Sequence, residues 1–133
     1  MVIVKTSKKY ILIGLGAAVG AVLRYVCEQT IEVFTTSDIA VLFVNITGCF
    51  VISMATGLYM RKRISETTKV LVVTGFCGGL TTFSSFVSGM ELLINSQHYI
   101  SAMSYILLNM ILSLIAVSVG MNLGLRQNNQ PKQ

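Results

Sequence analysis

The sequence predicts an all-α membrane protein of four transmembrane helices, the third broken near its centre. Three observations predict it. The 133 residues are 53% hydrophobic and only 11% charged, where a soluble domain carries about 25% charged residues, and mean hydropathy is +0.74. Four apolar runs approach the roughly 20 residues that a helix needs to cross a hydrocarbon core, and short polar links separate them. The third run holds GFCGGLTTFSSF (Gly75–Phe86) at its middle, so that paired glycines and four hydroxyls fall at the depth where water is scarcest.

The first span, about 10–27, contains LGAAVGAVLRY. Gly16 and Gly20 have the small-xxx-small spacing of closely packed membrane helices. Arg24 stands near the far end, placed either to pair with a carboxylate or to draw anions to a vestibule. The second span, about 39–60, contains FVNITGCF. An unsatisfied amide in hydrocarbon costs several kcal/mol, so Asn45 must face protein or a water-filled path. The fourth span, about 100–125, sets Tyr105, Asn109 and Ser113 at i, i+4, i+8 along one helical stripe. That stripe suits interhelical hydrogen bonding or a polar track for an ion. Residues 1–125 form a single domain, and 126–133 are expected to be a disordered cytoplasmic tail. No cleavable signal peptide, internal repeat or low-complexity tract is expected. Cys27, Cys49 and Cys77 fall one to a span and are read as small buried thiols.

In the third span, about 70–94, Gly78 and Gly79 precede Leu80, Thr81 and Thr82. Glycine costs a helix about 1 kcal/mol relative to alanine, and threonine can bond back to its own backbone. A break here frees carbonyls, which survive at membrane depth only if buried, lining water or holding a cation. Discontinuous helices build ion sites in many transport proteins; a kinked packing helix is the plainer alternative. Phe83 and Phe86, at i, i+3, share a face. Aromatic edges are positive and attract a small hard anion, although two rings facing lipid have the same spacing.

Charge sorts the links. Lys5, Lys8, Lys9, Arg61, Lys62, Arg63, Lys69, Arg126 and Lys132 are nine of the ten basic residues, and all fall at one face. The positive-inside rule puts that face, and both termini, in the cytoplasm of a multi-pass protein of the cell membrane. The basic residues are topology signals rather than a nucleic-acid patch. No Asp or Glu lies deep in a span, which argues against a small proton-coupled exporter. His98 lies in a short outer link, and no nucleophile–base pair or metal-ligand cluster suggests an enzyme.

GFCGGLTTFSSF closely resembles the third-helix signature of the Fluc/CrcB fluoride channels. LGAAVGAVLRY resembles the family's first-helix glycine–arginine motif, and FVNITGCF its second-helix Asn-x-x-Gly-x-Phe motif. The resemblance implies a passive fluoride-selective channel that exports cytoplasmic fluoride and reduces its toxicity. It implies an antiparallel dimer with two pores along the subunit interfaces, embedded in membrane lipid. It also implies a structural Na⁺ at the dimer centre, held by the backbone carbonyls of Gly78 and Thr81 and their counterparts. Phe83 and Phe86 become ring-edge fluoride contacts, and Asn45 a pore-lining donor beside them. Thr82 and Ser84 add hydroxyls to the route, Tyr105, Asn109 and Ser113 form the polar track, and Arg24 stands near the pore mouth. Ser53, Asn109 and Gly89 depart from common family residues (glycine, serine and glutamate).

The one-sided charge adds an expectation. An antiparallel homodimer needs a chain that inserts both ways, and this chain resists reversal. It is expected to pair with a Fluc-type subunit of opposite bias, as one half of a heterodimer. A proton-coupled exporter and a non-conducting accessory subunit are the competing readings.

Overall fold

A computed structural model describes residues 2–126, with side chains from Ser7 onward, and every regular element in that range is helical. The tail expected beyond Arg126 lies outside the described residues. Helix α1 (Val2–Glu32) is the first span and α2 (Ser37–Met60) the second. The third is composite: α3 (Glu66–Lys69), a π-helical stretch (Val70–Cys77), α4 (Gly78–Leu80) and, after an interruption, α5 (Ser84–Asn95). Helix α6 (Tyr99–Arg126) is the fourth. Four stretches are long and apolar enough to cross a membrane: Ser7–Glu32, Ser37–Met60, Glu66–Asn95 and Tyr99–Arg126.

The helices outrun the apolar runs that predict them. Hydropathy marks where hydrocarbon ends, whereas backbone hydrogen bonding continues into the polar interface. Helix α1 runs on through Glu28 to Glu32, so Arg24 lies inside the span with two turns of helix beyond it. Helices α2 and α5 end alike. The Lys62 and Arg63 amides donate to Tyr59 and Leu58 carbonyls, and those of Gln97 and His98 to Ile94 and Leu93. Lys62 (φ 56°) and Gln97 (φ 60°) take the left-handed conformation this double closure needs. Ser65 accepts the Thr68 amide at 3.1 Å and caps α3.

Small residues let the spans meet in two pairs, first with third and second with fourth. A Cβ on Gly16 would lie 2.7 Å from the Leu71 carbonyl oxygen, and one on Gly79 2.9 Å from Ala17 Cα. A Cβ on Gly57 would lie 3.0 Å from Gly124 Cα. The packing role expected for Gly16 and Gly20 is therefore present, with Gly75 and Gly79 as the complementary pair on the third span. Ser53 is buried against Gly120 in the second interface. Backbones this close gain dispersion contacts, which drive helix association where lipid tails are as apolar as leucine.

The break in the third span falls later than the glycines predict. Gly78 is helical (φ −63°, ψ −30°), and the chain leaves the helix at Thr81, which is extended (φ −75°, ψ 150°). Gly78 and Gly79 supply close approach and exposed backbone; the interruption itself belongs to Thr81, Thr82 and Phe83.

Candidate functional site

The interruption is held open by one side chain from another span. The Asn45 side chain donates through Nδ2 to the Thr82 carbonyl at 3.0 Å and accepts the Thr82 amide through Oδ1 at 2.8 Å. The amide thus takes the place of both backbone partners that a continuous helix would give Thr82. One Nδ2 hydrogen remains for another acceptor. Thr82 Oγ1 accepts the Ser85 amide at 3.1 Å and lies 3.1 Å from both Ser84 Oγ and Ser85 Oγ. It caps α5, whose amino-terminal end carries the positive pole of the helix dipole into the break.

On the carboxyl-terminal side of α4, the Thr81 amide and hydroxyl both donate to Cys77, at 2.9 and 3.0 Å. Arg24 Nε donates to the Gly79 carbonyl at 3.2 Å. Arg24 therefore faces the break and does not line the groove described next. Among the described residues, the carbonyls of Gly78 and Thr81 accept no backbone hydrogen bond. Gly78 is exposed, with no atom within 4 Å of its Cβ position.

Beside the break lies an open groove of about 380 Å³, walled by Asn45, Thr81, Thr82, Phe83, Phe86, Asn109 and Ser113, together with Cys49, Ile52 and Met110. Among the described residues, no charged group lines it. The Phe83 and Phe86 rings are 5.8 Å apart and tilted by 38°, and Phe83 is 76% exposed. Tyr105 stacks behind Phe86 at 5.2 Å. Asn109 Nδ2 and Tyr105 Oη are buried without a hydrogen-bond partner. These are donors in search of an acceptor, at a cost of about 1–3 kcal/mol each while unmet.

The structure therefore gathers Asn45, Thr82, Phe83, Phe86, Asn109 and Ser113 in one wall. It leaves Tyr105 behind that wall and Arg24 on the other side of the break. Ser84 opens instead into a second cavity of about 410 Å³, shared with Ser85, Ser88, Glu28, Glu32 and Asp38. Sequence reasoning missed Cys49 and Ile52, which a count of four and seven residues on from Asn45 would have found. It also missed that Asp38 and Glu28 line one cavity, which depends on how two spans dock.

Fold and site define a class: a four-span helical membrane protein whose broken span borders an uncharged polar groove, the arrangement that builds ion sites inside membranes. Residues 11–121 match the family model described as CrcB-like protein, Camphor Resistance (CrcB). The chain is 37% identical over 116 residues to the fluoride-specific ion channel FluC of Azobacteroides pseudotrichonymphae, covering 85% of this chain and 93% of the relative. It is 38% identical to FluC of Francisella philomiragia subsp. philomiragia, covering 83% and 89%. It is 34% identical to FluC of Methanococcus aeolicus, covering 85% and 92%. The chain belongs to the CrcB (FluC) family, whose curated members are ion channels and not enzymes.

Proposed function

We propose that this chain is one subunit of a passive, fluoride-selective channel that lets cytoplasmic fluoride run out of the cell. The observation that carries the reading is the groove at the break. Unpaired or spare donors (Asn45, Asn109 and, behind them, Tyr105), two phenyl rings and hydroxyls meet there, with no carboxylate among the described residues. Such a lining replaces part of a small anion's hydration and gives it no proton to exchange. Neutral HF crosses bilayers and ionises in a less acidic cytoplasm, so an anion pore driven by the inside-negative potential suffices for export.

The groove is open along one side, and Phe83 projects from it with most of its ring uncovered. A second Fluc-type subunit in the opposite orientation closes it and completes two pores at the interface. The unclaimed carbonyls of exposed Gly78 and half-buried Thr81 fit a structural Na⁺ shared with the partner at the dimer centre. Carbonyl oxygens are hard ligands suited to that ion. When bound, the ion ties the two breaks together and offsets the charge of a passing anion. Asn45 and Arg24 serve that geometry from within the subunit, by fixing Thr82 and occupying the Gly79 carbonyl.

The test is efflux from liposomes read with a fluoride electrode, chloride as control, for the chain alone and with an oppositely biased Fluc-type partner. Rapid loss of fluoride with chloride retained is expected from at least one preparation. Replacing Phe83 and Phe86 together by Ile is expected to lower that flux at least about tenfold, equivalent to ~1.4 kcal/mol of barrier. Unchanged flux in the double variant makes this chain an accessory subunit, and silence from a correctly assembled pair overturns the channel.

A further inference from the structure

The second cavity lies at the end of the molecule opposite the basic links. Its wall carries the carboxylates of Glu28 and Glu32 from α1 and of Asp38 from α2, with Ser84, Ser85 and Ser88 of α5. It is continuous in chemistry with the central groove, because Thr82 Oγ1, in the wall of the groove, reaches Ser84 and Ser85, in the wall of the cavity. Among the described residues, no group of acidic and other ligating side chains here is arranged to hold a metal ion, so the carboxylates do not form a chelate.

A second observation points to what the cavity takes. Tyr105 is only 6% exposed and its hydroxyl has no hydrogen-bond partner. That hydroxyl lies 3.5 Å from the Cβ position of Gly89, a residue of the cavity wall, and Asp38 Oδ1 lies 2.6 Å from the same position. The absent side chain of Gly89 thus lets the Asp38 carboxylate sit close against α5, beside one unused donor. The donor belongs to the ring that stacks on Phe86, at the end of the groove's aromatic pair. The Tyr105 hydroxyl thus lies just beyond Phe86, with the Asp38 carboxylate nearby on the other side of Gly89.

We infer that Asp38 sets the rate at which fluoride passes this end of the pathway: ionised, it repels an anion from the unused Tyr105 hydroxyl; protonated, it lets the anion reach that donor. The inference rests on the fluoride-channel reading above. The groups facing Asp38 are Glu28 and Glu32 from α1 and Tyr105 from α6, while α5 presents serine hydroxyls and Gly89 without a titratable group. Glu28 and Glu32 add to the repulsion.

The experiment uses the conducting assembly in liposomes, at equal pH on both sides so that insertion direction does not matter. HF leak through protein-free vesicles is subtracted. Wild-type flux is expected to rise as the pH falls from about 7 to about 4, by up to about three- to tenfold as Asp38 protonates, the scale of removing one charge a few ångströms from the path. Asp38→Asn is expected to give the high rate already at pH 7 with a much flatter profile. Asp38→Glu is expected to keep the wild-type slope. Tyr105→Phe is expected to lower flux at every pH, and Glu91→Gln, an exposed carboxylate outside the cavity, to change nothing. A wild-type flux independent of pH overturns the inference without recourse to any variant. So does an Asp38→Asn chain that conducts as wild type does, or one that assembles normally but no longer conducts. A wild-type assembly that carries no fluoride overturns the channel reading and this inference with it.

Discussion

Asn45 shows how a single side chain can carry an element. Its amide gives and takes one hydrogen bond at Thr82, so two backbone groups are satisfied where no helix can satisfy them. Asn45→Ala leaves both groups unpaired at membrane depth, each costing about 1–3 kcal/mol. The expected result is a lower melting temperature in detergent and strongly reduced fluoride efflux. Asn45→Asp keeps the acceptor for the Thr82 amide but sets a carboxylate oxygen against the Thr82 carbonyl, and is expected to be at least as damaging. A chain that melts and conducts as wild type does after Asn45→Ala would show that the break does not depend on this pair. Arg24 works in the same way from the opposite side, spending on Gly79 a donor that the sequence alone offers to a carboxylate or to an anion.

At the level of elements, the two adjacent glycines of the third span have different tasks. A Cβ on Gly79 would press on the Ala17 backbone, whereas Gly78 has no neighbour within 4 Å of that position. Gly79→Ala must push the first and third spans apart, and overpacking of this kind costs about 1–3 kcal/mol. Gly78→Ala keeps its carbonyl and meets nothing in its own subunit. Thermal unfolding of the two variants is expected to separate them clearly, with only Gly79→Ala destabilised within the chain; equal melting points would refute the division. The four spans were legible in the sequence because bilayer thickness acts on composition alone. The polar stripe of Asn109 and Ser113 was legible because helical periodicity is local. The position of the break was not, because the residue that fixes it lies 37 positions away. The acidic cavity was not, because it depends on how two helices dock: Glu28 lies on α1 and Asp38 on α2. The pairing of Gly16 and Gly20 with Gly75 and Gly79 was only half visible: the first pair was read and its complement was not.

At the scale of the molecule, the basic residues gather at one end. Lys9 pairs with Glu66, Arg61 donates to the Leu125 carbonyl at 2.9 Å, and Lys69 sits 4.5 Å over the Tyr59 ring. The start of the first span, the link after the second and the end of the fourth thus meet at one basic end, while Glu28, Glu32 and Asp38 mark the other. Each exposed pair adds little stability, but together they collect the charge that resists translocation. Reversing the chain would carry several basic clusters across the bilayer, against the positive-inside bias. A tag on the carboxyl terminus is therefore expected to be labelled from the cytoplasmic side alone. Replacing Arg61, Lys62, Arg63 and Lys69 together by Gln weakens the bias where it is densest. The tag should then be labelled from both sides, and the variant expressed alone should show fluoride efflux in cells where the unmodified chain shows none. Equal labelling of the unmodified chain from both sides would mean that it pairs with itself, and the heterodimer would fall. Labelling from one side alone would leave the open groove requiring a different, oppositely inserted chain to close it. The charge at the surface would then determine which partner completes the pore at the centre.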